Sequence, residues 1–391
     1  MLPEGWETRR LDEVIVLGSG DSRPKDTLPD KSEDRPYPVY GGNGVMGFSR
    51  HTNNEGATIV IGRVGEYCGT TRLIDHPAWI TDNALRTIKI ADGFDPAFTE
   101  LALKKFNLRQ LRNKGGQPLV SQKPIYGVAL PFPKLSEQGR IVEAISTWDQ
   151  AIETVDKLID NARAQKKALM QQLLTGKRRL PGFEGAWETV RLGELGAISS
   201  AGVDKKIVEG EKAVRLLNFL DAYNREFICS ADLNHEVTAP TTKVQQCNVL
   251  KGDIFFTPSS ETRNDIGHAA VAVEDMPGVV YSYHVVRLRP VKPIDLTFSA
   301  FIFQTDHFRR QTYKAGDGSG QRYVVSQNMF RQMDVPYPPL SEQKAIGEVL
   351  NTSSIEIERL QANRLALQTE KRALMQLLLT GKRRVKVEAA A

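Results

Sequence analysis

Residues 135–179 read LSEQGRIVEAISTWDQAIETVDKLIDNARAQKKALMQQLLTGKRR, and residues 340–384 read LSEQKAIGEVLNTSSIEIERLQANRLALQTEKRALMQLLLTGKRR. The two stretches align without a gap and share 21 of 45 positions, so one is a duplicate of the other. Apolar residues recur in alternating four- and three-residue steps. The first copy has Ile141, Ile145, Trp148, Ile152, Val155, Ile159, Ala162, Leu169 and Leu173; the second has Ile346, Leu350, Ile357, Leu360, Leu367, Leu374 and Leu378. This spacing predicts one long helix per copy with a single apolar seam, interrupted by Lys166 in the first and by Ser353, Arg364 and Lys371 in the second. Prolines precede each copy, Ser136 or Ser341 is placed to cap it, and Gly176 or Gly381 to end it. A rod of about 40 residues, roughly 60 Å at 1.5 Å per residue, has no core of its own. The two seams are equal in length, which favours pairing within the chain; a homodimeric coiled coil is the alternative.

A shorter repeat lies outside the rods. WETRRLDEV at 6–14 returns as WETVRLGEL at 187–195, so a globular stretch precedes each rod. The expected fold is α+β: two globular domains separated by two long helices pairing as an antiparallel coiled coil, a pseudo-twofold dumbbell. The segments are 1–132, 133–180, 181–337, 338–385 and a tail at 386–391. Because the first rod leads from one globular domain to the other, a second rod that pairs with it must return antiparallel.

Composition narrows the function classes. The chain has 391 residues, 40% hydrophobic and 25% charged, with net charge +5. The basic excess sits mostly in the helices, so affinity for an anionic partner would have to come from local clusters. The opening MLPEGWETRR has no apolar segment of the kind that directs export, and no later stretch is apolar enough to span a bilayer, so a cytoplasmic, non-membrane protein is expected. Cys68, Cys229 and Cys247 form no CxxC pair, and the six histidines show no zinc-ligand spacing; reduced thiols and no metal site are expected.

Within the globular stretches, ATIVIGRV (57–64) and GDIFFTPS (252–259) read as buried strands running into loops, and WITDNALRTIKI (79–90) and VVYSYHVVRLRP (279–290) look equivalent. On that reading Tyr283 and His284 belong to a strand in the core. Basic helical segments at 100–114 and 301–314 run into glycine-rich loops, GGQ at 115–117 and GDGSGQR at 316–322, and both loops precede VSQ. Glycine lets backbone approach a ligand closely, and Arg, Lys, Asn, Gln, Ser and Thr pair with base edges and phosphates. The candidate DNA contacts are therefore Asn43 in GGNG, Arg63 after its strand, Lys114, Gln117, Ser259, Thr262, Arg263 and Asn264 in SSETRN, and Gln321 and Arg322. Arg309, Arg310 and Lys314 are further candidates for phosphates. Each of these loops also reads as an ordinary surface turn.

Catalytic motifs fail on context. VIVLGSGDS at 14–22 resembles a cofactor-binding glycine turn, but Arg23-Pro24-Lys25 follows where an amphipathic helix should begin. Gly176-Lys177 and Gly381-Lys382 lack the remainder of a phosphate-binding loop.

Two unlike globular units, each ending in proline-rich LSEQ and joined by duplicated helices closing in LLTGKRR, resemble the specificity subunit of Type I restriction-modification enzymes. The opening LPEGW belongs to the same likeness, which covers nearly the whole chain. The resemblance implies two target-recognition domains that read a split double-stranded DNA site. It also implies two partner modification subunits that use S-adenosylmethionine and, in systems that have them, restriction subunits that use ATP and magnesium. No cofactor and no catalysis are expected of this chain. Arg163, Gln171, Arg359 and Gln376, outside the seam, are candidates for partner contacts. A stand-alone DNA-binding regulator and a catalyst of unfamiliar motif are the competing readings.

Overall fold

The computed structural model describes residues 2–113, 115–318 and 321–385. These fold as two compact units, one from residues 2–156 with 363–385, the other from 157–362.

Five helices organise them: α1 (Pro96–Phe106), α2 (Leu135–Leu173), α3 (Leu296–Ile302), α4 (Asp306–Ala315) and α5 (Leu340–Leu378). The long helices α2 and α5 have 39 residues each, as the seams predict. They begin at Leu135 and Leu340, so Ser136 and Ser341 sit inside the first turn and do not cap it. Gly176 and Gly381 follow the helix ends with φ of +69° and +68°, a conformation that glycine adopts at little cost.

In the first unit, an antiparallel sheet runs Ile15–Ser19, Ala84–Ile90, Thr58–Gly62, Thr71–Ile74. Ile59, Val60 and Ile61 are all buried, as a β-branched run between two covered faces should be. A smaller sheet holds Tyr37–Gly41 between Gly44–Ser49 and Trp79–Ile80. In the second unit the strands Gly196–Ser199, Val286–Pro290, Ile254–Phe256 and Ala269–Ala272 repeat the first arrangement, extended by Phe227–Ile228. A four-stranded sheet beside them is centred on Lys212–Leu217 and Met276–Tyr281. Each unit is also closed at its base by a pair joining its two ends: Glu7–Arg10 with Ala129–Phe132, and Glu188–Arg191 with Asp334–Tyr337.

Each core takes in part of both long helices. Ile141 and Ile145 from the start of α2 and Leu378 from the end of α5 pack in the first unit's core; Leu173, Ile346 and Leu350 do so in the second. Within the first unit, Asp149 meets Lys371 and Asp156 meets Arg364; within the second, Lys166 meets Ser354 and Arg179 meets Glu342. In each unit the partner number falls as the first number rises, so the helices pair antiparallel within the chain.

The buried ends of the LSEQ motifs explain why glutamine and glutamate stand there. Gln138 accepts from the Asp95 amide at 2.7 Å and donates to the Pro133 carbonyl at 2.9 Å; Gln343 repeats this with Asp295 at 2.9 Å and Pro338 at 2.8 Å. Asp95 and Asp295 in turn cap α1 and α3. A buried amide thus ties α1 to the start of α2, and α3 to the start of α5.

Candidate nucleic-acid interface

In the second unit, Ser259–Ser260 pairs antiparallel with Tyr323–Val324, which brings the SSETRN loop beside the glycine-rich loop. Arg322 donates to the Ser259 hydroxyl at 3.0 Å. The Arg263 guanidinium lies 4.8 Å from the Tyr323 ring and 6.0 Å from the Tyr313 ring. Stacking of this kind holds a guanidinium by its face and leaves its edge for other partners. Thr262 donates to Asp265 at 3.0 Å, which ties that hydroxyl into its own turn. Asn264 is exposed, and so is Gln321. Five of the sequence candidates, Ser259, Thr262, Arg263, Asn264 and Arg322, therefore gather on one rim, with Gln321 adjoining Arg322 in the chain.

The first unit builds a corresponding rim from different side chains. Val64 bridges Leu119, and the Gly65 amide donates to the Pro118 carbonyl at 2.9 Å, so the loop after Arg63 is laced to the segment carrying exposed Gln117. Asn113 closes that loop by accepting from the Leu119 amide at 2.8 Å. The Arg63 side chain donates to Ser19 at 3.2 Å. Asn43 sits at the exposed tip of a tight turn whose next residue, Gly44, has φ +117°, and its carbonyl accepts from Arg72 at 3.0 Å. A Thr70 hydroxyl bond to the Gly42 carbonyl, 3.4 Å, sets this turn beside the strand that leads to Arg63. Lys114 lies outside the described residues.

Two expectations need correction. Tyr283 and His284 are not core strand residues: the strand Met276–Tyr281 stops short of them, Tyr283 is 49% exposed, and its ring lies 3.9 Å from that of His284. Partial burial holds the His284 imidazole below its usual pKa, with nearby Lys205 and Arg322 adding to the effect. Arg309 is a brace and not a free cation. It donates to the Ile266 carbonyl at 2.7 Å and to the Asn264 carbonyl, and burial lowers its pKa.

Arg72, Tyr313 and Tyr323 carry no mark in the sequence; strand pairing delivers Arg72 and Tyr323 to the rims, and helix α4 delivers Tyr313. The glycines of VIVLGSGDS have a packing role. A Cβ on Gly20 would fall 2.3 Å from the Ile80 and Thr81 carbonyl oxygens, and one on Gly202 falls 2.0 Å from the Tyr283 amide. In both units the first strand therefore exits against the turn that follows 80–81 or 281–282. Among the described residues no group of three or more His, Cys, Asp or Glu is placed to hold a metal ion. No helix among them is long and apolar enough to cross a membrane.

Both rims offer guanidinium, amide and hydroxyl groups on loops backed by rigid strands. Such groups can recognise base edges and phosphates.

Comparison with known proteins agrees with this duplicated design. The model of the Type I restriction modification DNA specificity domain matches residues 3–162 and again 184–367. The Type I restriction enzyme MjaVIII specificity subunit of Methanocaldococcus jannaschii is 25% identical, over 98% of this chain and 94% of its own length. The crystal structure of a Type I restriction-modification S subunit from M. genitalium shares the fold, with a TM-score of 0.60 at 18% identity over 95% of this chain and 96% of its own. A chain from a Type I system described for its complex assembly and conformational transition gives 0.61 at 17% identity, over 98% and 100%. With two matched domains covering most of its length, this chain belongs to the Type I restriction-modification DNA specificity family, whose members are recognition subunits and not themselves catalysts.

Proposed function

We propose that each rim reads one half of a bipartite DNA site, and that the chain carries two modification subunits to that site. S-adenosylmethionine belongs on those partners; ATP and magnesium belong on restriction subunits in systems that have them. The observation that supports this reading is the repetition of one rim design with different side chains. In the first unit the loop after Thr58–Gly62 is tied to the segment before VSQ through Val64 and Leu119 and carries Arg63 and Gln117, with Asn43 in a neighbouring turn; in the second the loop after Ile254–Phe256 is tied to that segment through Ser259 and Val324 and carries Arg263 and Arg322. Equal frameworks with unequal chemistry are what two different half-sequences require.

The test is equilibrium binding to duplexes that vary one half-site at a time, using the chain with its modification subunits. Arg263→Ala with Arg322→Ala should weaken binding to the cognate duplex by about 1 to 3 kcal/mol for each bidentate arginine–base pair removed, and relax selectivity in one half only. Equal weakening on every sequence would show that these arginines do not read bases.

A further inference from the structure

A cleft of about 620 Å³ lies in the second unit between the C-terminal part of α2 and helix α4. Lys167, Lys177, Arg310 and Lys314 line it, against a single lining carboxylate, Asp306. All four cations are exposed, and none forms an ion pair or side-chain hydrogen bond among the described residues. The remaining ionisable group, His307, is already engaged by Asp334 at 2.5 Å. Four like charges around one cleft repel one another, and the chain supplies too little negative charge to offset them.

Helix α4 connects this cleft to the base-reading rim. Arg310 and Lys314, four residues apart, share the helix face that lines the cleft. Arg309 and Tyr313, one residue earlier in each case, share the neighbouring face, where Arg309 braces Asn264 and Ile266 and Tyr313 stacks near Arg263. One rigid helix therefore presents free cations on one side and supports the rim on the other.

The first unit has a cationic pair at the repeat-equivalent place. Lys382, the counterpart of Lys177, lies close enough to Lys105 to depress the pKa of Lys105, second only to burial. Lys105 stands at the end of α1 where Gln304 and Thr305 border the cleft in the second unit.

We infer that this cleft is a phosphate-binding clamp for the DNA backbone, separate from the rim and blind to sequence. The inference rests on the DNA-reading function proposed above. Lysines suit the task, since an ammonium on a long stem follows a phosphate without demanding one geometry. Backbone contacts of this kind set register and affinity, whereas base contacts set selectivity.

The experiment compares the parent with a variant carrying Lys167→Gln, Lys177→Gln, Arg310→Gln and Lys314→Gln. Both are purified with their modification subunits and titrated onto cognate and scrambled duplexes over a range of salt concentrations. The clamp predicts that the slope of log K against log salt becomes shallower by about 3 to 4, at roughly 0.9 per phosphate released. The change should be equal on both duplexes, leaving their affinity ratio unchanged. Restoring the charges by lysine-to-arginine exchange at 167, 177 and 314, with Arg310 kept, should restore the slope. An unchanged slope in a variant that still binds DNA overturns the clamp and leaves the rims untouched. Loss of modification subunits from the purified variant overturns it too, and assigns the cleft to an acidic protein surface. A parent complex that shows no preference for any duplex would overturn the proposed function itself.

Discussion

Arg384 grips Glu137 through two parallel hydrogen bonds, 2.6 Å from Nε and 2.7 Å from Nη2, across 247 residues of chain. Arg179 holds Glu342 in the same way at 2.5 and 2.7 Å. The partners are the last arginine of one GKRR and the glutamate of the other LSEQ, so the two ends of the repeat recognise each other crosswise. The segment that opens each globular stretch joins them, because Arg384 also donates to the Glu4 carbonyl and Trp187 donates to Glu342. Glu137 and Glu342 are buried, 3% and 0% exposed, which explains why a bidentate partner is needed.

Replacing Arg384 with Met should leave the buried Glu137 carboxylate unpaired and cost about 3 kcal/mol of stability. Adding Glu137→Leu removes the stranded charge and should recover most of that loss. Chemical denaturation of the parent, the single variant and the double variant checks this. A double variant no more stable than the single would mean that the pair acts through geometry and not through charge burial.

Lys166, in the seam of α2, donates to Ser354 of α5 at 2.7 Å and pairs with Glu226, which also accepts from Ser354 at 2.8 Å. Its ammonium lies 5.0 Å from the Phe301 ring. Lys166→Met should destabilise the second unit by about 1 to 3 kcal/mol, because Glu226 loses its charged partner. A double-mutant cycle with Glu226→Gln should show coupling of about 1 kcal/mol or more. Additive effects would contradict the network.

Burial, with the nearby Arg309 and against the opposing Asp265, pushes the His268 pKa down to about 4. The folded state thus holds this imidazole neutral while the unfolded chain takes up a proton near pH 6.5. Stability from this group is complete above about pH 6.5, falls as the pH drops below it, and is lost once the pH reaches about 4. Between pH 7 and pH 5 the parent should lose on the order of 1 to 2 kcal/mol more than His268→Gln, since partial exposure screens part of the effect. Thermal unfolding at both pH values measures the difference. Parallel losses in the two proteins would exclude His268 as the cause.

The helices are legible because duplication and four-three spacing are local properties of the chain. Their antiparallel pairing follows from connectivity. The crosswise Glu137 and Arg384 contact is not legible, since two charged residues far apart in sequence carry no mark of mutual choice. Lys166 reads as an interruption of the seam, and only the fold supplies Glu226 and Ser354 to it. For the rims, glycine loops and arginines name the right neighbourhood. Their convergence depends on Ser259 pairing with Val324 and on Val64 bridging Leu119, which no short-range pattern encodes. Tyr283 reads as core strand because VVYSYHVVRL alternates like one strand, while in the fold a turn at 282–285 breaks it.

Independent reading of DNA by the two globular folds is tested most directly by a domain exchange. Residues 1–132 are replaced with the matching segment of a relative, and methylated sites are mapped across a host genome that expresses the chimera with its modification subunits. Independent readers predict a motif in which one half changes and the other half is retained base for base. A motif altered in both halves would contradict them.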